Sequence, residues 1–222
     1  SAVIEILGDD SQATIQDGGR PGWRRIGVGA SGAADVLAME RANLLVGNPP
    51  GNAIIEVPGT VLHLRFTADV QVAIAGADAP ATLDGSPLIP DSTFPAAAGA
   101  QLHIARPDRG TYSYVAVSGG IDVPLVLGSR STHLRGGFGG FGGRSLMRGD
   151  RLAIGTGGGA QGGRVALSPA RAALPLGDDD PAATSIRVLP AAEYDRFDDA
   201  SRDSFWSTAW RISAQSNRAG YR

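Results

Sequence analysis

The sequence contains no cysteine. A disulfide framework, a thiolate zinc site and a cysteine nucleophile are therefore excluded. It contains no lysine either; every basic residue other than histidine is arginine. That removes Schiff-base chemistry, the lysine of a phosphate loop, and the lysine on which a Ser–Ser–Lys amidase depends. Histidine is scarce, with three residues, and neither an HExxH pattern nor an Asp/Glu-rich ligand loop is present, so no metal site is expected. Charge of one sign is missing too: 20 basic residues face 22 acidic ones, and the pI is about 5.9. Without a basic block there is no nucleic-acid footprint. No apolar run approaches the ~20 residues needed to span a bilayer, and no signal-like N-terminus is seen. These features lead us to expect a cytoplasmic protein with neither membrane nor nucleic acid as partner.

What is present is glycine (32 residues) and enough hydrophobic content (42%) for a real core. A length of 222 residues allows one large domain, or one domain and a smaller unit. Short strands dominate. Ala2 to Leu7, Val70 to Ala75, Gln101 to Ala105, Tyr112 to Val117 and Arg151 to Ile154 all read as strands. In Val61 to Phe66 the alternation sets Leu62, Leu64 and Phe66 on one face and His63 and Arg65 on the other. Ala81 to Leu83 and Pro87 to Ile89 flank Asp84–Gly85, a two-residue hairpin signal. Many short strands with a single main helix predict a mainly β fold, a closed barrel, over residues 1–155. Residues 156–184, rich in Gly, Pro and Asp, read as a linker. Residues 185–222 read as strand (Ile186 to Leu189), helix (about 192–207) and strand (Trp210 to Ala214). Their aromatic residues are too many for 38 residues to bury alone, so this α+β unit must pack on the first domain, on another chain or on a continuation of the polypeptide.

Two stretches concentrate polar groups on glycine turns. In the first, a strand ending at Gln16 enters a turn built on Asp17, Gly18, Gly19 and Pro21, and Arg20 stands beside it. Asp35 then caps a helix carrying Leu37, Arg41, Leu44 and Leu45, with Gly47 as its stop. The residues alone fit either a site that fixes Asp17 and Arg20, or an ordinary turn with a local Asp17–Arg20 ion pair. In the second stretch, Gly119–Gly120 permits close backbone approach, and Ser129, Ser131 and Thr132 surround Arg130, with His133 following. Hydroxyls, backbone donors and a guanidinium suit a carboxylate or bicarbonate-like group. The segment Gly136 to Gly143, with Phe138 and Phe141, has the composition of a lid. His63 and His103 fall on polar strand faces and read as surface residues.

The first stretch resembles the opening of the biotin-dependent carboxyltransferase family often labelled allophanate hydrolase subunit 2. Members of this family open with QDxGRxG, SGxxD and a helix ending ANLLVGNP. Here these are Gln16, Asp17, Gly19, Arg20 and Gly22, then Ser31, Gly32 and Asp35, then Ala42 to Pro49. Residues 73–85, 114–132 and 143–152 continue the likeness in order. The family's SDRxGYR motif, which there starts a further stretch of β structure, is matched at 216–222, with Asn217 in place of Asp, so the resemblance implies that residues 185–222 are the start of a second, truncated domain.

The resemblance implies a cyclophilin-like β-barrel with a site shared with a related barrel protein, of the allophanate hydrolase subunit 1 or 5-oxoprolinase B type. The implied enzyme is a heteromeric ATP-dependent 5-oxoprolinase, which opens 5-oxoproline to glutamate. A related complex acting on urea or another small amide is the second possibility. ATP belongs to the complex, with no site evident in this chain, and biotin belongs on another polypeptide, since there is no lysine here to carry it. The lack of lysine also makes the amidase chemistry of the family's label a poor fit. The resemblance implies that Asp17, Arg20, Arg130 and Arg144 are catalytic. Gln16, Gly119, Gly120, Ser129, Ser131, Thr132, His133 and Arg218 are the expected substrate-binding residues. A non-catalytic alternative also follows from it, a regulatory component that sequesters a kinase-inhibitor-like partner.

Overall fold

A computed structural model describes residues 2–8, 11–156, 188–211 and 213. The chain divides into two compact units, Ser1–Pro169 and Ala170–Arg222.

Among the described residues of the first unit, twelve strands follow in order: β1 (Val3–Ile6), β2 (Thr14–Gln16), β3 (Ile54–Pro58), β4 (Leu62–Phe66), β5 (Val70–Asp78), β6 (Ala81–Leu83), β7 (Ser86–Pro87), β8 (Thr93–Ala96), β9 (Gln101–Ile104), β10 (Arg109–Val117), β11 (Ile121–Asp122) and β12 (Arg151–Ile154). They form two antiparallel sheets, ordered β11-β12-β1-β4-β9-β6-β7 and β2-β3-β10-β5-β8. The mainly β class, with a single main helix among the described residues of this unit, is as expected. The strand alternation in β4 holds as well: Leu62, Leu64 and Phe66 are buried, His63 is half-buried and Arg65 is exposed. Asp84 and Gly85 both take positive φ (48° and 79°), as a tight two-residue hairpin requires.

One core contains residues of both sheets. Ile4, Ile6, Leu64, Phe66, Leu102 and Leu152 come from the first, and Ile15, Ile55, Val57, Val72, Val115 and Val117 from the second. Each such side chain contributes about 1.5–3 kcal/mol through burial. The second sheet is covered on its other face too. Helix α1 (Val36–Leu45) packs Ala38, Met39, Ala42 and Leu45 onto Ile54, Ala73, Ala75, Tyr114 and Ala116. Burial on both faces explains why β3, the middle of β5 and the end of β10 show no alternation.

The helix begins where expected. The Asp35 carboxylate accepts from the Ala38 amide at 3.0 Å, and Gly47 follows the end with φ 74°. Its buried face differs from the one marked by Leu37, Arg41 and Leu44. Leu37 and Leu44 are exposed, and the small residues Ala38 and Ala42 face the sheet. Alanines on both the helix and the sheet allow close approach.

Tyr114 ties the helix start to the sheet. Its hydroxyl accepts from the Asp35 amide (2.7 Å) and donates to Glu56 (2.9 Å), and Glu56 also accepts from the Ala34 amide (2.8 Å). Burial, with the Glu56 charge next in effect, raises the Tyr114 phenol far above its ordinary value, so it stays a donor.

In the second unit, the helix expected over 192–207 is split. A 3-10 turn spans Tyr194–Arg196, the backbone is extended at Phe197, and α2 runs Asp199–Ser207. Asp198 causes the restart by accepting from the Ser201 amide at 2.7 Å. The Trp206 indole donates to the Tyr194 hydroxyl (2.8 Å) and the Trp210 indole to the Phe205 carbonyl (2.9 Å). Neither expected strand forms at its described positions, Val188, Leu189, Trp210, Arg211 and Ser213. The rest of those strands, the 157–184 part of the expected linker, and the 216–222 motif with Arg218 lie outside the described residues.

Tyr114→Phe leaves the Asp35 amide without its acceptor and removes one of the donors to Glu56. The expected loss is about 1–3 kcal/mol by chemical denaturation. A loss under about 0.5 kcal/mol would show that the pin is not what holds the helix start.

Candidate functional site

Glycine shapes the first turn. Gly19 has φ 85°, and a Cβ there would stand 2.7 Å from the Ala30 carbonyl oxygen. The turn delivers Asp17 to the distant segment 129–132. One Asp17 oxygen accepts from the Ser129 hydroxyl (2.6 Å), the Ser131 hydroxyl (2.5 Å) and the Gly19 amide (2.7 Å); the other accepts from the Arg130 amide (2.5 Å). Ser131 accepts in turn from the Asp17 amide (2.9 Å). Around this node, the Thr132 hydroxyl donates to the Ile15 carbonyl (2.9 Å), and the Gln16 amide donates to Thr14 (3.0 Å) and to the Thr132 carbonyl (3.3 Å). Gln16, Ser129 and Ser131 are fully buried, and Asp17 is 9% exposed.

Arg20 does not pair with Asp17. Its Nε donates to the Val126 carbonyl (3.2 Å), Nη1 to the Ser31 hydroxyl (2.7 Å) and Nη2 to the Ser131 carbonyl, and its guanidinium lies 5.1 Å from the Phe138 ring centre. It is 1% exposed. Burial lowers its pKa, and the Asp17 charge opposes that shift. Of the two readings of this turn, the local ion pair is therefore not the one formed. Asp17 and Arg20 each reach to the 126–131 segment instead.

An open cleft of about 340 Å³ lies beside this frame. Gly119, Gly120, Asn52, Asp122, Arg130 and Thr156 are among the residues lining it. Gly119 has φ 94°, and a Cβ there would stand 2.2 Å from the Gly155 carbonyl oxygen. The end of α1 holds this turn in place. Asn48 accepts from the Gly119 amide (2.9 Å) while donating to the Val117 carbonyl (2.8 Å) and to Asn43 (3.1 Å). Asn43 donates to the carbonyls of Pro50 (3.0 Å) and Asn52 (2.9 Å). Arg130 is the cation at the cleft. Its Nε is fixed by the Val123 carbonyl (2.9 Å), its Nη2 makes a long 3.4 Å contact with Asp122, and Nη1 has no partner among the described residues. Its side chain is 36% exposed. This arrangement can bind a carboxylate through the free edge of a guanidinium whose base is already held.

The expected residues thus separate. Gly119, Gly120 and Arg130 line the cleft, while Gln16, Asp17, Arg20, Ser129, Ser131 and Thr132 form the buried frame next to it. His133 is half-buried; its Nδ1 accepts from the Gly136 amide (2.9 Å), and its ring stacks on Phe138 at 4.8 Å. Arg144 is absent from this cleft. It makes a two-point ion pair with Asp150 (2.7 and 2.8 Å). The segment expected as a lid is folded down: Gly140 donates to the Arg130 carbonyl (3.1 Å), and Gly139, Gly140 and Gly143 are buried. His63 and His103 face each other across β4 and β9. Sequence reasoning missed the roles of Asn43, Asn48 and Asn52; the signal available was two amides five residues apart at a helix end. Among the described residues, no group of three or more His, Cys, Asp or Glu is placed to hold a metal. No helix there is long and apolar enough to cross a membrane.

Comparison with known proteins identifies the context. Residues 26–222 match the family described as carboxyltransferase domain, subdomain A and B. The chain is 42% identical to the C component of 5-oxoprolinase from Escherichia coli (strain K12), over 99% of this chain and 68% of that protein. It is 33% identical to urea amidolyase of Saccharomyces cerevisiae, over 99% of this chain but only 12% of that protein. The solved urea amidolyase of K. lactis superposes with a TM-score of 0.81 at 26% identity, over 99% of this chain and 14% of that chain.

Two outcomes are expected of the frame and the ion pair. Asp17→Ala leaves four donors without their acceptor and lowers stability by about 2–4 kcal/mol in denaturant titration, with Asp17→Asn losing less; equal losses would mean that charge, not hydrogen bonding, dominates. Burial raises the Asp150 carboxyl, but Arg144 and the Met147 amide outweigh it and the net shift is downward. A depressed carboxyl stabilises the fold above the ordinary carboxylate range and loses that contribution as pH falls through its own pKa. Melting curves from about pH 6 down to 2 should therefore show an acid limb that Asp150→Asn flattens; an unchanged limb would assign it to other groups.

Proposed function

The chain belongs to the carboxyltransferase-domain family, and we propose that it is the C-type component of a heteromeric, ATP-dependent 5-oxoprolinase. The observation that carries this reading is the extent of the match to that component in Escherichia coli. It runs over 99% of this chain and two thirds (68%) of that relative, whereas urea amidolyase matches only over 12% of its length. The cleft is chemically consistent with it. 5-Oxoproline is a small lactam bearing a carboxylate. Arg130 supplies a cation with a free edge, and the Gly119–Gly120 turn lets the substrate approach the backbone. Ring opening develops negative charge on oxygen or nitrogen, and fixed donors stabilise it.

In this reading Arg130 is the residue that touches substrate. Asp17, with Ser129 and Ser131, is a positioning group, since it grips the Arg130 backbone rather than facing the cleft. Arg20 holds the same segment from below. The cleft is open on one side, and a related barrel protein, of the 5-oxoprolinase B type, completes the site. ATP acts at the level of the complex. Any biotin is attached outside this sequence, which has no lysine to carry it.

The test is reconstitution of the natural full-length polypeptide with its barrel partner and the third component, followed by 5-oxoproline-dependent glutamate release. Arg130→Met should lower kcat/KM at least about tenfold, with an unchanged melting temperature. Full activity in that variant would remove Arg130 from the site. A stable heteromer inactive on 5-oxoproline but active on urea would move the assignment to the urea amidolyase side of the family.

A further inference from the structure

The Arg130 cleft holds a second charge. Among the described residues lining it, Arg130 is the one cation and Asp122 the one anion. The two are only loosely paired. Arg130 Nη2 stands 3.4 Å from Asp122 Oδ1, beyond the ~2.7–2.9 Å of a charge-assisted hydrogen bond. Their side chains are 36% and 60% exposed, and a pair of that kind contributes little to stability. Arg144 and Asp150 show the contrast, meeting at two points, 2.7 and 2.8 Å.

Asp122 is held by its backbone, not by its carboxylate. It lies on β11, paired with Ala153 of β12. The preceding residue, Ile121, is buried and donates its amide to the Ala53 carbonyl at 3.0 Å. The Asp122 carboxylate accepts from no other donor among the described residues. An ionised carboxylate offers about four lone-pair sites, so acceptor capacity is left over for a ligand. A ligand carboxylate on the open edge of Arg130 lies next to the Asp122 charge, and like charges at that range repel. The arrangement therefore suits an anion that also brings a hydrogen-bond donor to Asp122.

We infer that Asp122 is a second substrate-contacting residue of this cleft, accepting the lactam N–H of 5-oxoproline while Arg130 holds its carboxylate. This rests on the 5-oxoproline reading above and adds to it the group that selects for nitrogen. In 5-oxoproline one carbon carries both the carboxylate and the ring nitrogen, and the N–H is the only hydrogen-bond donor once the acid is ionised. Neighbouring guanidinium and carboxylate groups match that pair in sign. An acid of the same shape without the N–H meets the Asp122 charge with nothing to offset it, so selection works by repulsion as well as by attraction. A site built around a substrate N–H rejects an isostere lacking it far more strongly than it rejects the loss of one methylene.

The experiment is calorimetric titration of the complex assembled from the natural full-length polypeptide and its partner components, with a non-hydrolysable ATP analogue present. The ligands are 5-oxoproline and the matching γ-lactone carboxylate, in which a ring oxygen replaces the N–H. The wild-type complex should bind the lactam at least about tenfold more tightly than the lactone. Asp122→Ala should weaken the lactam at least about tenfold and leave the lactone unchanged or tighter, a split that general damage to the cleft does not produce. Asp122→Asn keeps an acceptor oxygen and should retain part of the preference, whereas Arg130→Met should weaken both ligands. If Asp122→Ala fails to assemble, Asp122→Asn and the wild-type comparison decide. Equal binding of lactam and lactone by the wild type, or an undiminished preference in Asp122→Ala, would overturn the role of Asp122 and leave the 5-oxoproline reading standing. Binding of neither ligand would overturn both.

Discussion

The Asp17 carboxylate is the constraint on which the candidate site depends. It joins a turn near the start of the chain to a segment more than a hundred positions away, using the hydroxyls of Ser129 and Ser131 and the amide of Arg130. Ser129 and Ser131 are fully buried, which makes their bonds expensive to lose. The consequence is positional. The backbone of Arg130 is gripped from one side by Asp17, its Nε is gripped by the Val123 carbonyl, and its remaining guanidinium edge faces the cleft. Little conformational entropy is left for a ligand to remove.

A second set of constraints fixes the opposite wall. Helix α1 packs on a sheet of small residues, and its end projects Asn43 and Asn48 into the loop that follows. Asn48 holds the Gly119 amide, so the helix and the glycine turn are positioned together. The family signature at Ala42 to Pro49 thus has a physical reading as a bracket for the cleft. Tyr114 and Glu56 anchor the other end of the same helix.

The legible features of the sequence were those set by local chemistry. The Asp35 cap, the Asp84–Gly85 hairpin and the alternation of β4 each follow from residues a few positions apart. Long-range choices were not visible. Nothing local says that α1 buries Ala38 and Ala42 and leaves Leu37 and Leu44 outside, because that depends on the alanines of β5 and β10 across from it. Strand β3 has no alternation to read, since both its faces are covered. In the site, the polar residues on glycine turns were found, but not their division into a buried frame and an open cleft. Asp17 and Arg20 look equivalent to Arg130 in sequence, and only burial separates them. Arg144 was grouped with them by motif, yet its partner six residues on, Asp150, takes both of its terminal nitrogens.

The most direct test of this account is a structure of the assembled complex with 5-oxoproline bound. The account predicts the substrate carboxylate within about 3.2 Å of the Arg130 guanidinium, beside the Gly119–Gly120 turn, with Asp17 and Arg20 still buried and not in contact with it. A substrate held directly by Asp17 or Arg20, or bound away from the Arg130 cleft, would contradict it.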